Sequence, residues 1–216
     1  MILTHHEIRN FIQEGKLNFE PVLDAFQLQP HAVDLRLGYH FKIPKEWEVC
    51  ASGRCALNID YLSQKETSNF HEIELAQKQY FEILPQETVI AKTLEKITIS
   101  DGGIMAVLYP RSSLNRRGLA VDLSGIVDTY YSGNLIIPIK NNTRQIIRLY
   151  PGERICQLVF QKLARTLSLE ESKNHGLSPA KYSDTAENLY KQDTNSEMDY
   201  IVGGRIEELK GKFRIN

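Results

Sequence analysis

The chain has 216 residues and a mass of 24.8 kDa, with 42% hydrophobic and 25% charged residues. That is enough for one large domain or two small ones, with a core that needs neither disulfides nor a structural metal. Twenty-six basic and 27 acidic residues give a formal net charge of -1, which argues against a dedicated nucleic-acid binder but leaves room for a local basic patch that grips a small phosphorylated molecule. The three cysteines, Cys50, Cys55 and Cys156, are too few for a disulfide framework, and Cys50 and Cys55 lack the further ligands of a zinc site. They read as reduced thiols of a cytoplasmic protein. No leader-like segment or membrane-length apolar run is present. Collagen-like, membrane, disulfide-scaffold and wholly disordered classes are excluded.

The chain opens on a helix signal. Thr4 and Glu7 have the spacing of a capping box, Ile8, Phe11 and Ile12 form an apolar stripe, and Gly15 can stop the helix. His5 and His6 read as exposed residues of its first turn that face different ways, rather than as metal ligands. Val33, Leu35 and Leu37 then alternate with Asp34 and Arg36, a strand that ends at Gly38. Residues 44–70 read as an irregular polar excursion with short strands. Strand-like runs follow at 80–84, 88–92, 104–109, 134–140, 145–150 and 154–163, separated by turn signals. Among these, Pro151 and Gly152 suit the central positions of a type II turn. Many short strands without βαβ alternation indicate a mainly β sandwich or barrel, not a Rossmann fold, and no phosphate loop of the G-x-x-x-x-G-K-[ST] type occurs. Residues 170–199 turn polar and read as a mobile arm; 200–216 regain apolar residues that can dock on the body or on a neighbouring subunit.

Three segments carry chemistry. Pro110 to Gly118 reads as a short helix that Ser112 or Ser113 can cap, with Arg111 beside the hydroxyls as an anion donor; spacing alone favours an ordinary capped helix with surface arginines. Gly125 to Gly133 places Asp128 three residues before Tyr131, a carboxylate and an aromatic that can face a sugar and base, or simply a polar hairpin with a packed tyrosine. Gly152 to Phe160 is a strand in which Gln157 is the odd polar residue, more commonly just an outward-facing strand position.

Together these segments resemble the dUTP diphosphatase and dCTP deaminase superfamily. Pro110-Arg111-Ser112-Ser113-Leu114 is similar to PRSGL, Gly125 to Gly133 to G-x-I-D-x-x-Y-x-G, and Gly152 to Leu158 to G-x-x-x-x-Q-L. The opening Met1 to Thr4 with its helix, the stretch His31 to Gly38, and Lys181-Tyr182 resemble the deaminase branch. The resemblance covers most of residues 1–182. It implies a distorted, jelly-roll-like β-barrel with an N-terminal helix and short additional helices, a tail at 183–216, a homotrimer with active sites between subunits, and a deoxynucleoside triphosphate held with Mg²⁺. It implies no nucleic-acid or membrane partner.

Residue by residue, the resemblance implies substrate contacts from Arg111, Ser112, Ser113, Arg116, Ile126, Tyr131, Gln157, Lys181 and Tyr182. Asp128 is the expected catalytic carboxylate, orienting the water that attacks the α-phosphorus, and Asp34 is expected near the metal through water. The deaminase branch also asks for a proton-shuttling Glu at the position of Pro138, and no Asp or Glu occurs from Thr129 through Gly152. The zinc-deaminase signature is absent too. The expectation is therefore hydrolysis of dUTP to dUMP and pyrophosphate. The alternatives are a dCTP deaminase, perhaps bifunctional as a diphosphatase, and a non-catalytic deoxynucleotide-binding regulator. Ser113 in place of the diphosphatases' glycine, and the missing Gly-rich final motif, depart from the diphosphatase pattern.

Overall fold

The computed structural model describes residues 1–57, 69–121, 125–175, 178–179 and 196–214. The capping box forms as the sequence predicts. Thr4 N donates to Glu7 Oε2 at 2.9 Å, the two side chains bond to each other, and α1 runs over His5–Gln13. Its stripe buries Ile8 fully and packs Phe11 and Ile12 on the core, and Gly15 follows with φ of 69°. The His5 and His6 rings lie 4.1 Å apart rather than facing apart, yet no group of three His, Cys, Asp or Glu among the described residues could hold a metal.

The strands are β1 (Leu17–Glu20), β2 (Leu28–Gln29), β3 (Ala32–Pro44), the exposed hairpin β4 (Trp47–Cys50) and β5 (Gly53–Ala56), β6 (Phe70–Glu74), β7 (Phe81–Ile83), β8 (Thr88–Ile99) and β9 (Ile104–Pro110). After the single turn α2 (Ser112–Asn115) come β10 (Leu119–Val121), β11 (Ile126–Val127), β12 (Ser132–Asn141), β13 (Ile147–Leu149) and β14 (Arg154–Lys162). A turn of helix α3 (Leu169–Ser172) and the pair β15 (Asn174–His175) and β16 (Ser178–Pro179) precede α4 (Ser196–Val202) and α5 (Ile206–Lys212). The last two helices meet around Tyr200, which packs edge-on to Phe213 and under Arg205.

The main sheet runs β10-β12-β8-β3-β14-β9-β11, with β1 added to β8 and β2 and β6 to β3. β3 is its spine. Its first half pairs β14 and its second half pairs β6, with β8 alongside and a register shift between Leu37 and Phe41. Gly38 sits at that shift. A Cβ there would stand 2.9 Å from the carbonyl oxygen of Lys92, so only glycine lets the two strands come so close. The curl encloses one core, in which the stacked Phe41 and Phe81 rings and the perpendicular Phe19 and Phe160 rings are the largest elements. Each such buried side chain contributes about 1.5–3 kcal/mol relative to exposure. This is the distorted β-barrel with an N-terminal helix that the sequence predicts.

Two expectations change. β8 extends to Ile99 rather than stopping at residue 92, because Glu95, on the core-facing parity of the strand, finds partners: Gln27 Nε2 donates to it at 2.7 Å and the Arg36 backbone N at 2.9 Å. Cys50 and Cys55 are not reduced thiols. The β4–β5 hairpin brings their Cα atoms to 6.1 Å and they form a disulfide, while Cys156 is free and buried. No helix is long and apolar enough to cross a membrane among the described residues.

Candidate active site

β3, β14 and β9 lie side by side, and three residues at one end of them share a face. Gln157 of β14 stands directly opposite Asp34 of β3 on one side and Tyr109 of β9 on the other. Directly opposed residues project to the same side of a sheet. β9 then ends at Pro110, and Arg111 turns the chain into α2.

A register shift between Arg154 and Cys156 puts one extra residue into β14 beside this face. Cys156 points into the core, so uninterrupted alternation would send Arg154 inward as well. The bulge instead sets Arg154 opposite Arg36, on the face that carries Asp34 and Gln157.

The result is a cluster of charge around a buried carboxylate. Asp34, its side chain only 3% exposed, places Oδ2 3.1 Å from Arg154 Nη1 and 3.2 Å from Arg111 Nε. Arg111 Nη1 also donates to the Arg154 carbonyl at 3.1 Å, and Arg154 Nη1 to the Phe26 carbonyl at 2.7 Å. Burial raises the Asp34 carboxyl above its ordinary value, and the attraction of Arg111 and Arg154 offsets this only in part. Arg36 is held differently. Its Nε and Nη2 reach Asp24 at 3.1 and 2.6 Å, its Nη1 reaches the Gly152 carbonyl at 2.6 Å, and its bond holds the Asp24 carboxyl below the usual range. Gly152, at φ of 92°, occupies the turn position that demands a positive φ, as its pairing with Pro151 predicts.

The sequence-predicted residues fall into two groups. Arg111, Gln157 and Asp34 come together, and Ser112 and Ser113 follow Arg111 as the first residues of α2, which the exposed Arg116 closes. Neither serine caps that turn; Arg111 itself stands at the N-cap, and the serines are its first two residues. The second group is Ile126, Asp128 and Tyr131. Val127 pairs with Ala106, near the start of β9, whereas Arg111 follows its end. Five residues of strand, roughly 16 Å at ~3.3 Å per residue, separate the two groups. Ile126 is exposed, and Tyr131 is half-buried with its hydroxyl donating to the Asn134 carbonyl at 3.1 Å. Burial pushes the Tyr131 hydroxyl up to about 12. Lys181 and Tyr182 lie outside the described residues. Pro138 stands on β12 opposite Ile90.

The expected role of Asp34 near a metal does not fit this geometry. Its oxygen is committed to two arginines, and a cation there would face two guanidinium groups. Arg154, Arg36 and Glu95 were not singled out from the sequence. The parity of Glu95 with Val89, Ala91, Thr93 and Ile97 on β8 is the signal that places it inside.

Comparison with known proteins addresses the reaction. A family model described as dCTP deaminase-like matches residues 2–163. A protein of Sulfurihydrogenibium sp. (strain YO3AOP1) named "dCTP deaminase, dUMP-forming" is 39% identical over 164 residues, covering 76% of this chain and 84% of that one. One of the same name from Methanosphaera stadtmanae is 29% identical over 210 residues, covering 94% and 99%. The solved 2'-deoxycytidine 5'-triphosphate deaminase of Agrobacterium tumefaciens aligns with a TM-score of 0.56 at 25% identity. That match covers 79% of this chain, which spans about half of the Agrobacterium chain. These relatives overturn the expectation of a plain dUTP diphosphatase, which rests on Pro138 in place of the deaminase glutamate and on the Asp128 and Tyr131 pair. The chain belongs to the dCTP deaminase-like family.

Proposed function

We propose that the protein acts on dCTP, exchanging the 4-amino group of cytosine for oxygen and releasing dUMP, as the name of its relatives describes. Two waters are consumed, and ammonia and pyrophosphate leave. The observation that carries the reading is the convergence of Arg111, Ser112, Ser113 and Gln157 at one end of β9 and β14, in a chain 39% identical over 164 residues to a protein of that name. A guanidinium beside hydroxyl and amide groups suits a polyphosphate. Arg116 extends that group, and Ile126, Asp128 and Tyr131 form the sugar and base side.

The separation of the two groups along β9 supports a site shared between copies of the chain, with the Asp128 to Tyr131 turn of one copy facing the Arg111 end of the next. A closed homotrimer meets that requirement. Magnesium enters this proposal only as the counter-ion of the triphosphate, because Asp34 is committed elsewhere.

One observation favours a second reading, nucleotide binding without deamination. Deamination needs a proton donor and acceptor at the base, and Pro138 has no titratable group where the family resemblance asks for a glutamate. Incubation of the protein with dCTP and Mg²⁺ separates the readings. Equal amounts of ammonia and dUMP are expected. Tight dCTP binding with no ammonia would retire the first reading for the second, and ammonia release by Pro138→Glu would then identify the missing group. Absence of both binding and turnover would sink both.

A further inference from the structure

Three arginines gather at the ends of β3, β14 and β9, and their bonding differs. Every nitrogen of Arg36 is engaged: one edge of its guanidinium takes Asp24 and the remaining nitrogen takes the Gly152 carbonyl. Arg111 and Arg154 instead divide a single carboxylate oxygen of Asp34. The contacts described for Arg111 run through Nε and Nη1, and those for Arg154 through Nη1 alone. Each therefore keeps donors that these contacts do not use. Both side chains are partly exposed, at 27% and 29%, while Asp34 beneath them is 3% exposed.

Two like charges held side by side over a buried acceptor, partly exposed and with donors that these contacts leave unused, make a fork for a second anion. We propose that Arg154 is a second phosphate-binding arginine beside Arg111, and that Asp34 is the positioning residue that holds the two guanidinium groups together. The ligand class is a linear polyphosphate, free or carried by a nucleoside. The proposal rests on the dCTP reading only for what the polyphosphate is attached to.

Asp34 acts here from below the site. It fixes Arg154 Nη1 and Arg111 Nε, and with them the spacing of the two forks. The Phe26 carbonyl gives Arg154 a second anchor at 2.7 Å. The β-bulge beside Cys156 brings Arg154 onto this face at all.

Inorganic tripolyphosphate, dCTP and deoxycytidine are the probes, titrated against the full-length protein by calorimetry. Arg154→Met is expected to weaken tripolyphosphate and dCTP about tenfold to a hundredfold, the loss of hydrogen bonds to a charged group, and to leave deoxycytidine unchanged. Unchanged tripolyphosphate affinity in a folded variant would overturn the proposal. A measurement on the unaltered protein stands beside it, should the variant not fold. Labelling by an arginine-selective dicarbonyl, mapped by mass spectrometry, should fall at Arg154 when tripolyphosphate is added and stay constant at Arg36. Equal labelling of Arg154 with and without tripolyphosphate would overturn the assignment. Protection of Arg154 by tripolyphosphate without any dCTP binding would leave the arginine pair standing and remove the nucleotide reading. Binding of dCTP with Arg154 unprotected would do the reverse.

Discussion

Asp34 and Arg154 lie 120 positions apart in the chain and 3.1 Å apart in space, with Asp34 Oδ2 accepting from Arg154 Nη1. Burial raises the Asp34 carboxyl above its ordinary value of 3.8. The folded state therefore holds that proton more tightly than the unfolded chain. The contribution of Asp34 to stability is largest below 3.8 and falls as pH rises from 3.8 to the raised folded value. Asp34→Asn removes this titration while keeping an oxygen acceptor. Urea midpoints of the two proteins across the acid range should diverge in one direction: the unsubstituted protein gains relative to Asp34→Asn as pH falls through that window. A difference that is flat in pH would show that Asp34 does not titrate as its burial requires.

Tyr131 supplies a second titration at the other end of the pH scale. Desolvation moves its hydroxyl from 10 up to about 12. A phenol whose folded value is raised supports the fold below 10 and loses that support as pH rises toward 12. Tyr131→Phe lacks this loss. At neutral pH it also lacks the bond to the Asn134 carbonyl, which should cost about 0.5–1.5 kcal/mol. Ultraviolet titration of the folded protein should show a tyrosine ionising near 12 that disappears in Tyr131→Phe.

Alternation made the site strands legible before their neighbours. Val33, Leu35 and Leu37 marked β3, and the apolar runs at 104–109 and 154–163 marked β9 and β14. The odd polar Gln157 is visible because it interrupts an apolar run, and the segment around Arg111 because two hydroxyls follow an arginine at a short helix start. Arg154 is not. It stands three residues before Gln157, an odd spacing that places it on the opposite face of a regular strand. The bulge that returns it to the site is a property of the pairing with β3, which no local window contains. Asp34 stands out in the sequence, but its role depends on partners from β14 and from the turn that follows β9. The reaction is misread from the sequence because one missing glutamate, at Pro138, together with the Asp128 and Tyr131 pair, outweighs a match that runs over residues 2–163.

The cysteines give a direct count. Cys156 is fully buried, and burial raises its thiol far above the ordinary range, so it is slow to form the reactive thiolate. Cys50 and Cys55 are joined on the exposed β4–β5 hairpin. The native protein without reductant should take up essentially no iodoacetamide. After treatment with a phosphine reductant and without denaturant it should take up two equivalents, at Cys50 and Cys55. Two equivalents before reduction would restore the reading of reduced thiols, and early labelling of Cys156 would show that the core around it opens.

Gly38 tests the closest approach in the sheet. A methyl group there would meet the carbonyl oxygens of Lys92 and Thr93 at 2.9 and 3.1 Å. Both are backbone atoms of β8, so neither can swing aside as a side-chain end would. An alanine would ordinarily gain about 0.4–1 kcal/mol by restricting the unfolded chain. Here overpacking, about 1–3 kcal/mol, is larger, and Gly38→Ala should lower stability. Gly211 in α5 has no atom within 4 Å of its ideal Cβ, so Gly211→Ala should hold stability or raise it through helix propensity, about 0.8–1 kcal/mol. The pair separates crowding from composition, since both substitutions add the same methyl. A Gly38→Ala protein as stable as its parent would mean that β3 and β8 part easily at the register shift. The spine that carries Asp34 into the site would then be looser than the close contact with Lys92 requires.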